Sequence, residues 1–157
     1  MEGVTAPTSE HTYTIKEAAA LTGLPASTLR YYESMGVFAA VERGDTSGHR
    51  VYSEADMHVL MSVSCLNAIG MSVSDIRKYV ENGALGPEAA PEQLAMLHDQ
   101  KERLACEAKQ IAVRRRYVDI KLDYWNAVEA GDDARAAELA SEARALATEL
   151  KTRKPKG

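Results

Sequence analysis

The sequence predicts a mainly α-helical protein: a small N-terminal helical unit carrying a hairpin, then one long helix and a short trailing one. Three observations predict it. Hydroxyl and carboxylate residues stand three apart at three places in seventy residues, Thr14/Glu17, Ser53/Asp56 and Ser72/Asp75, each opening an apolar helical run. A polar stretch with glycine at both ends, Gly44-Asp45-Thr46-Ser47-Gly48, separates two short strand-like runs, Val37–Arg43 and His49–Tyr52. Beyond residue 93, apolar residues recur at alternating spacings of three and four for about four and a half heptads.

The first helix follows Thr14, with Ile15, Ala18, Ala19 and Leu21 as its apolar face, and Gly23 ends it. Pro25 suits the opening of a second helix, where its missing N–H costs nothing, and that helix runs to about Ser34 with Ala26 and Leu29 inward. Two short helices joined by the tight Thr22-Gly23-Leu24 turn have the spacing of a helix-turn-helix, and the glycine-bounded loop that follows reads as a wing. The helix opened at Ser53 passes through Met57, Leu60, Met61, Cys65 and Ile69 to Gly70. The helix opened at Ser72 passes through Ile76, Tyr79 and Val80 and is expected to end at Asn82-Gly83.

Pro87 and Pro91 bracket an expected linker over 84–91, between a head at 13–83 and a long helix at 92–129. The seam of that helix is Leu94, Leu97, Lys101, Leu104, Ala108, Ile111, Arg115, Val118, Leu122 and Trp125, eight of them apolar. Such a helix reaches roughly 48 Å at ~1.5 Å per residue, too long for the small head to cover, so it calls for a partner. The alternative mate within the chain, Asp132–Leu150, is shorter and alanine-rich, and a second copy of the chain is the expected partner. Residues 1–12 are expected to be disordered. Residues 130–157 form a short helix with Ala136, Leu139, Ala143, Leu146 and Leu150 on one stripe, then a frayed basic tail.

Composition limits the function classes. Hydrophobic residues make up 45% of the chain and charged residues 27%, with no apolar run long enough for a membrane span and no secretory leader pattern. Two cysteines, Cys65 and Cys106, neither form a disulfide framework nor fit a zinc spacing, so a reduced cytoplasmic protein without metal or cofactor is expected. Four scattered histidines and the lack of a nucleophile–base pair or glycine-rich phosphate loop argue against an enzyme. The net charge of −4 gives no support to nucleic-acid binding; residues 1–53 hold four Lys or Arg against six Asp or Glu. Any such role must rest on where Lys16, Arg30, Arg43 and Arg50 stand.

The string Tyr13-Thr14-Ile15-Lys16-Glu17-Ala18-Ala19, then Thr22-Gly23-Leu24, Thr28-Leu29-Arg30-Tyr31-Tyr32-Glu33 and Gly36, strongly resembles the MerR family of transcription regulators. His49-Arg50-Val51-Tyr52-Ser53-Glu54-Ala55-Asp56 and Ile69-Gly70-Met71-Ser72 continue the match, which covers about residues 13–83. The resemblance implies a winged helix-turn-helix, followed by an antiparallel coiled-coil dimerisation helix and a short trailing helix. It also implies binding of a palindromic promoter operator as a homodimer, with bending and untwisting of the double-stranded DNA that aligns the promoter for RNA polymerase, reached only through the DNA.

On that reading Arg30 and Tyr31 enter the major groove from the second helix, with Ser27 and Thr28 near its start. Lys16, Arg43 and His49 add contacts, and Arg50 and Tyr52, two apart on the wing, share a face toward phosphate. Tyr32 reads as core, and Tyr52 has the alternative of packing under the wing. The family usually caps the second helix with Ser or Thr, where this chain has Leu24-Pro25. Seven seam residues, Leu94, Leu97, Leu104, Ile111, Val118, Leu122 and Trp125, are the expected dimer interface.

Metal-sensing members carry cysteines where this chain has none, around 91–97 and 126–132, and the thirty-odd residues after Trp125 are too few for a large ligand domain. Cys65-Leu66-Asn67-Ala68-Ile69-Gly70-Met71 and Lys121-Leu122-Asp123-Tyr124 resemble the AdhR-like aldehyde-responsive branch. That likeness implies Cys65 as a thiol sensor for a small electrophile. The competing reading makes Cys65 a small buried hydrophobe on the Met57, Met61, Ile69 stripe. A plain coiled-coil scaffold would account for 94–125 and leave Arg30, Tyr31 and Arg50 without purpose.

Overall fold

The computed structural model describes residues 11–151. The tail after Lys151 and the N-terminal segment before His11, for which fraying and disorder were expected, lie outside the described residues. His11 itself sets its ring edge-on against Tyr13, centroids 4.5 Å apart.

Six α-helices follow in order: α1 Ile15–Thr22, α2 Ala26–Ser34, α3 Glu54–Ala68, α4 Val73–Ala84, α5 Ala90–Glu129 and α6 Asp133–Lys151. Their starts are where local chemistry puts them. Thr14 accepts from the Glu17 N–H while Glu17 accepts from the Thr14 N–H at 2.8 Å, a reciprocal pair that satisfies two otherwise orphaned donors. Ser53 and Asp56 repeat it on α3, and Ser72 accepts from the Asp75 N–H at 3.2 Å on α4. Between α1 and α2, Gly23 sits at φ 74°, a left-handed conformation costly for any residue with a Cβ, and lets the two helices turn within three residues.

Four expectations shift. Pro25 is the N-cap of α2 rather than its first residue and gives no side-chain cap. Helix α4 runs on through Gly83 to Ala84. The expected linker is ordered: a 3-10 turn spans Gly86–Ala89, and α5 begins at Ala90, two residues early, because Pro91 is tolerated in a first helical turn. The wing is a loop closed by a single antiparallel bridge, Arg43 opposite Arg50, and a second bridge pairs Tyr13 with Tyr52; there are no longer strands among the described residues.

The described residues divide into two compact units, one ending at Gln100 and the other beginning at Lys101. The first has one core, into which α1 and α2 send Ala18, Leu29 and Tyr32, the loop sends Val37, Phe38, Val41 and Tyr52, and α3 and α4 send Met57, Leu60, Val63, Leu66 and Ile76. Leu29, Leu60 and Ile76 are fully buried, each contributing about 1.5–3 kcal/mol relative to exposure. Polar pins add direction: the Tyr32 hydroxyl donates to Asn67 Oδ1 at 2.8 Å, and the Ser64 hydroxyl donates to the Thr22 carbonyl. The opening turns of α5 are fastened to this unit by amides, Gln93 donating to the Tyr79 carbonyl at 2.9 Å and Gln100 to the Ile69 carbonyl at 2.7 Å.

In the second unit α6 turns back at Gly131, φ 73°, and packs on α5. Ala136, Leu139, Ala143 and Leu146 meet Val113, Tyr117, Ile120, Tyr124 and Ala127. These α5 residues form a second stripe, distinct from the seam. The intramolecular mate weighed from the sequence therefore exists, on another face. The seam stays bare: Leu104 is 41% exposed, Ile111 52%, Val118 55% and Trp125 61%.

Candidate nucleic-acid interface

Helix α2 sorts its residues by period. Leu29 and Tyr32 point into the core; Arg30 and Tyr31, the latter half exposed, point out, and Ser27 is exposed while Thr28 is half-buried. The wing lies beside this outer face. Its loop is held by the Gly44 N–H donating to the His49 carbonyl at 2.9 Å, and by Arg43 reaching the Gly48 carbonyl at 3.3 Å.

Between helix and wing lies a recess of about 320 Å³ lined by Lys16, Arg30, Arg43, Ser47, His49 and Arg50, with Thr12–Ile15 and Val51 completing the wall. Five of the expected contact residues thus meet at one concave surface. Four of the lining side chains are cations and none is a carboxylate, so the local sign opposes that of the whole chain. This placement answers the bulk-charge objection: phosphate responds to nearby charge, since fields beyond about 10 Å are screened at ordinary salt. Ser27, Thr28 and Tyr31 are not among the lining residues of this recess.

Arg50 is tied down. Its Nε donates to Glu33 Oε2 at 2.9 Å, and the two side chains are only 19% and 14% exposed. Glu33 ends the Leu29–Glu33 block and has no local signal for this role; seventeen residues separate the partners, beyond any local pattern. The pair clamps wing to α2 and uses one of the guanidinium's five donors.

Tyr52 requires a correction: it is fully buried and so is not placed to meet phosphate. Arg50 and Val51 line the recess while Tyr52, the next residue, goes into the core, so strand alternation does not place Tyr52 beside Arg50. Tyr52 exchanges two backbone hydrogen bonds with Tyr13, both 2.8 Å, and this pairing turns its ring into the core. Its hydroxyl has no hydrogen-bond partner among the described residues, and burial, reinforced by the nearby Glu33 charge, pushes its pKa up. Tyr13 also titrates high, because its hydroxyl donates to Glu54 at 2.8 Å.

Cys65 is exposed on α3. The core face of that helix is Met57, Leu60, Val63 and Leu66, and the expected stripe splits, leaving Met61 46% and Ile69 38% exposed. The buried-hydrophobe reading of Cys65 therefore fails within this chain. Cys106 is exposed on α5, where it accepts from Gln110 at 3.9 Å. Among the described residues no cluster of His, Cys, Asp and Glu is arranged to hold a metal, and no helix is long and apolar enough to cross a membrane.

A core-anchored pair of helices presenting an arginine beside a basic wing defines a winged helix-turn-helix DNA-binding unit. The family model described as "MerR HTH family regulatory protein" matches residues 13–83. The chain is 33% identical over 131 residues to an HTH-type transcriptional regulator of Haemophilus influenzae, covering 82% of this chain and 94% of that one. It superposes with a TM-score of 0.60, at 32% identity, on the crystal structure of HiNmlR, a MerR family regulator lacking the sensor domain, bound to promoter DNA; 80% of this chain and 96% of that chain are covered. The regulator AdhR of Bacillus subtilis is 33% identical over 90 residues, 57% of this chain and 64% of that protein. The chain belongs to the MerR family of DNA-binding transcription regulators.

Proposed function

We propose that the protein binds a palindromic promoter operator as a homodimer joined through α5 and distorts the duplex to control transcription. The observation that carries this reading is the convergence of Lys16, Arg30, Arg43, His49 and Arg50 on one recess between recognition helix and wing. Arg30 and Tyr31 read the major groove, with Ser27 and Thr28 beside them, and the wing cations hold the flanking backbone. Leu94, Leu97, Leu104, Ile111, Val118, Leu122 and Trp125 form the dimer interface. RNA polymerase is engaged through the reshaped DNA.

The test is fluorescence anisotropy on a duplex selected from a random pool by the wild-type protein, repeated across salt concentrations. Arg30→Ala is expected to cost about 1–3 kcal/mol and to relax preference at one base position. Lys16→Ala is expected to weaken all duplexes alike and to lower the salt slope by about one. Undiminished selective binding by Arg30→Ala would overturn the reading.

The finer assignment makes Cys65 the sensor of a small electrophile, and its exposure on α3 supports that. Its S–H adds across an aldehyde C=O to give a hemithioacetal, the sulfur bonding carbon and the oxygen taking the proton. Transcription from the operator in vitro, with and without formaldehyde, is expected to respond in the wild type and not in Cys65→Ser. An equal response in both sinks the sensor and leaves DNA binding untouched, in favour of a regulator with another effector or none.

A further inference from the structure

Helix α5 carries two apolar stripes. One is covered by α6 along Val113, Tyr117, Ile120, Tyr124 and Ala127; the other is bare. The bare stripe is interrupted by two cations, Lys101 and Arg115. Those interruptions, and the charges beside the stripe, say how a second copy fits.

We infer the register of the antiparallel pairing that the family resemblance implies: Ala108 of each copy faces Ile111 of the other, Leu104 faces Arg115, and Lys101 faces Val118. The inference rests on the reading of α5 as the dimer helix and specifies its register. A parallel, in-register pair would stack Lys101 on Lys101 and Arg115 on Arg115, placing like charges in two core layers. The antiparallel register sets each cation against an apolar residue instead, along which its methylene stem lies while the charge reaches water.

The flanking positions select the register. Glu107 and Arg114 stand on one edge of the stripe, both exposed, each just before a seam position. In the antiparallel register Glu107 of each copy lies beside Arg114 of the other, giving two symmetry-related ion pairs around the dyad. A slip of one heptad in one direction brings Glu107 against Glu107; in the other it sets Glu107 beside Lys121 but Arg114 against Arg114, so only the proposed register is free of a like-charge contact on this edge. The opposite edge carries Ala105 and Ala112, which face each other and let the helices approach closely.

The surface has a matching hollow. Ile111, Arg114, Arg115 and Val118, with Asp119 beside them, line a shallow, open hollow of about 260 Å³ on the bare side of α5. Four residues at those spacings make the hole into which a coiled-coil knob inserts. In this register the knob is Leu104 of the second copy.

Two full-length variants test it, E107R and R114E. Each homodimer holds two like-charge contacts and is expected to be weakened roughly tenfold. Mixed, they form a heterodimer with both pairs restored. After subunit exchange, native mass spectrometry should find heterodimer rising from the statistical half to about nine-tenths of all dimers. The E107R/R114E double variant should dimerise like the wild type. A heterodimer fraction staying at one half, or a double variant weaker than either single one, overturns the register. If the wild type still sediments as a dimer in that case, the dimer reading stands without it; a monomeric wild type overturns both.

Discussion

Ile111→Asp is expected to convert the protein to a monomer and to lower operator affinity by about 10²–10⁴-fold while the N-terminal unit stays folded. Ile111 is 52% exposed in the single chain, so an aspartate there costs the isolated subunit little. In a dimer the same change buries two carboxylates at the middle of the stripe, where an uncompensated charge costs about 3–5 kcal/mol and Arg114 and Arg115, one turn along, offset only part of it. Loss of the partner separates two DNA-reading heads, and each half-site contact then becomes an independent bimolecular event. Sedimentation equilibrium and anisotropy at one fixed salt concentration check both parts. A variant that remains dimeric and binds as tightly as the wild type would remove α5 from the interface.

The parts of this architecture written in short-range chemistry were readable from the sequence. Thr14 with Glu17 and Ser53 with Asp56 satisfy each other across three residues, so local spacing alone locates those helix starts. The seam on α5 is likewise a matter of period. What escaped depends on pairings between distant residues. Tyr52 looked like a wing residue facing out because strand alternation would set it beside Arg50; the bridge to Tyr13, thirty-nine residues earlier, decides otherwise. Glu33 had no local reason to be singled out until Arg50 arrived beside it. The prolines at 87 and 91 misled because proline ends a helix in its interior and opens one at its start, and only the fold distinguishes the cases. The stripe from Val113 to Ala127 is also periodic in the sequence, but period alone does not say which of the two α5 stripes α6 covers.

Arg50→Ala is expected to destabilise the N-terminal unit by about 2–3 kcal/mol, where the neighbouring change Arg30→Ala leaves stability within about 0.5 kcal/mol. Arg30 is exposed and its removal orphans nothing. Arg50 is different, because its loss leaves the Glu33 carboxylate, 14% exposed and near enough to raise the pKa of buried Tyr52, without its partner at 2.9 Å. The pair retains some solvent, which moderates the cost below that of a fully buried one. Removing both charges should therefore hurt less than removing Arg50 alone, and urea unfolding of the two single variants and the double variant measures the coupling. On DNA the two single changes separate the roles of one guanidinium. Glu33→Ala frees the wing from α2 and should weaken operator binding at an unchanged salt slope. Arg50→Ala does the same and also removes a cation from the recess, lowering the slope by about one. Equal slopes in both variants would confine Arg50 to holding the wing; the expected difference makes it the residue through which helix and wing grip the duplex together.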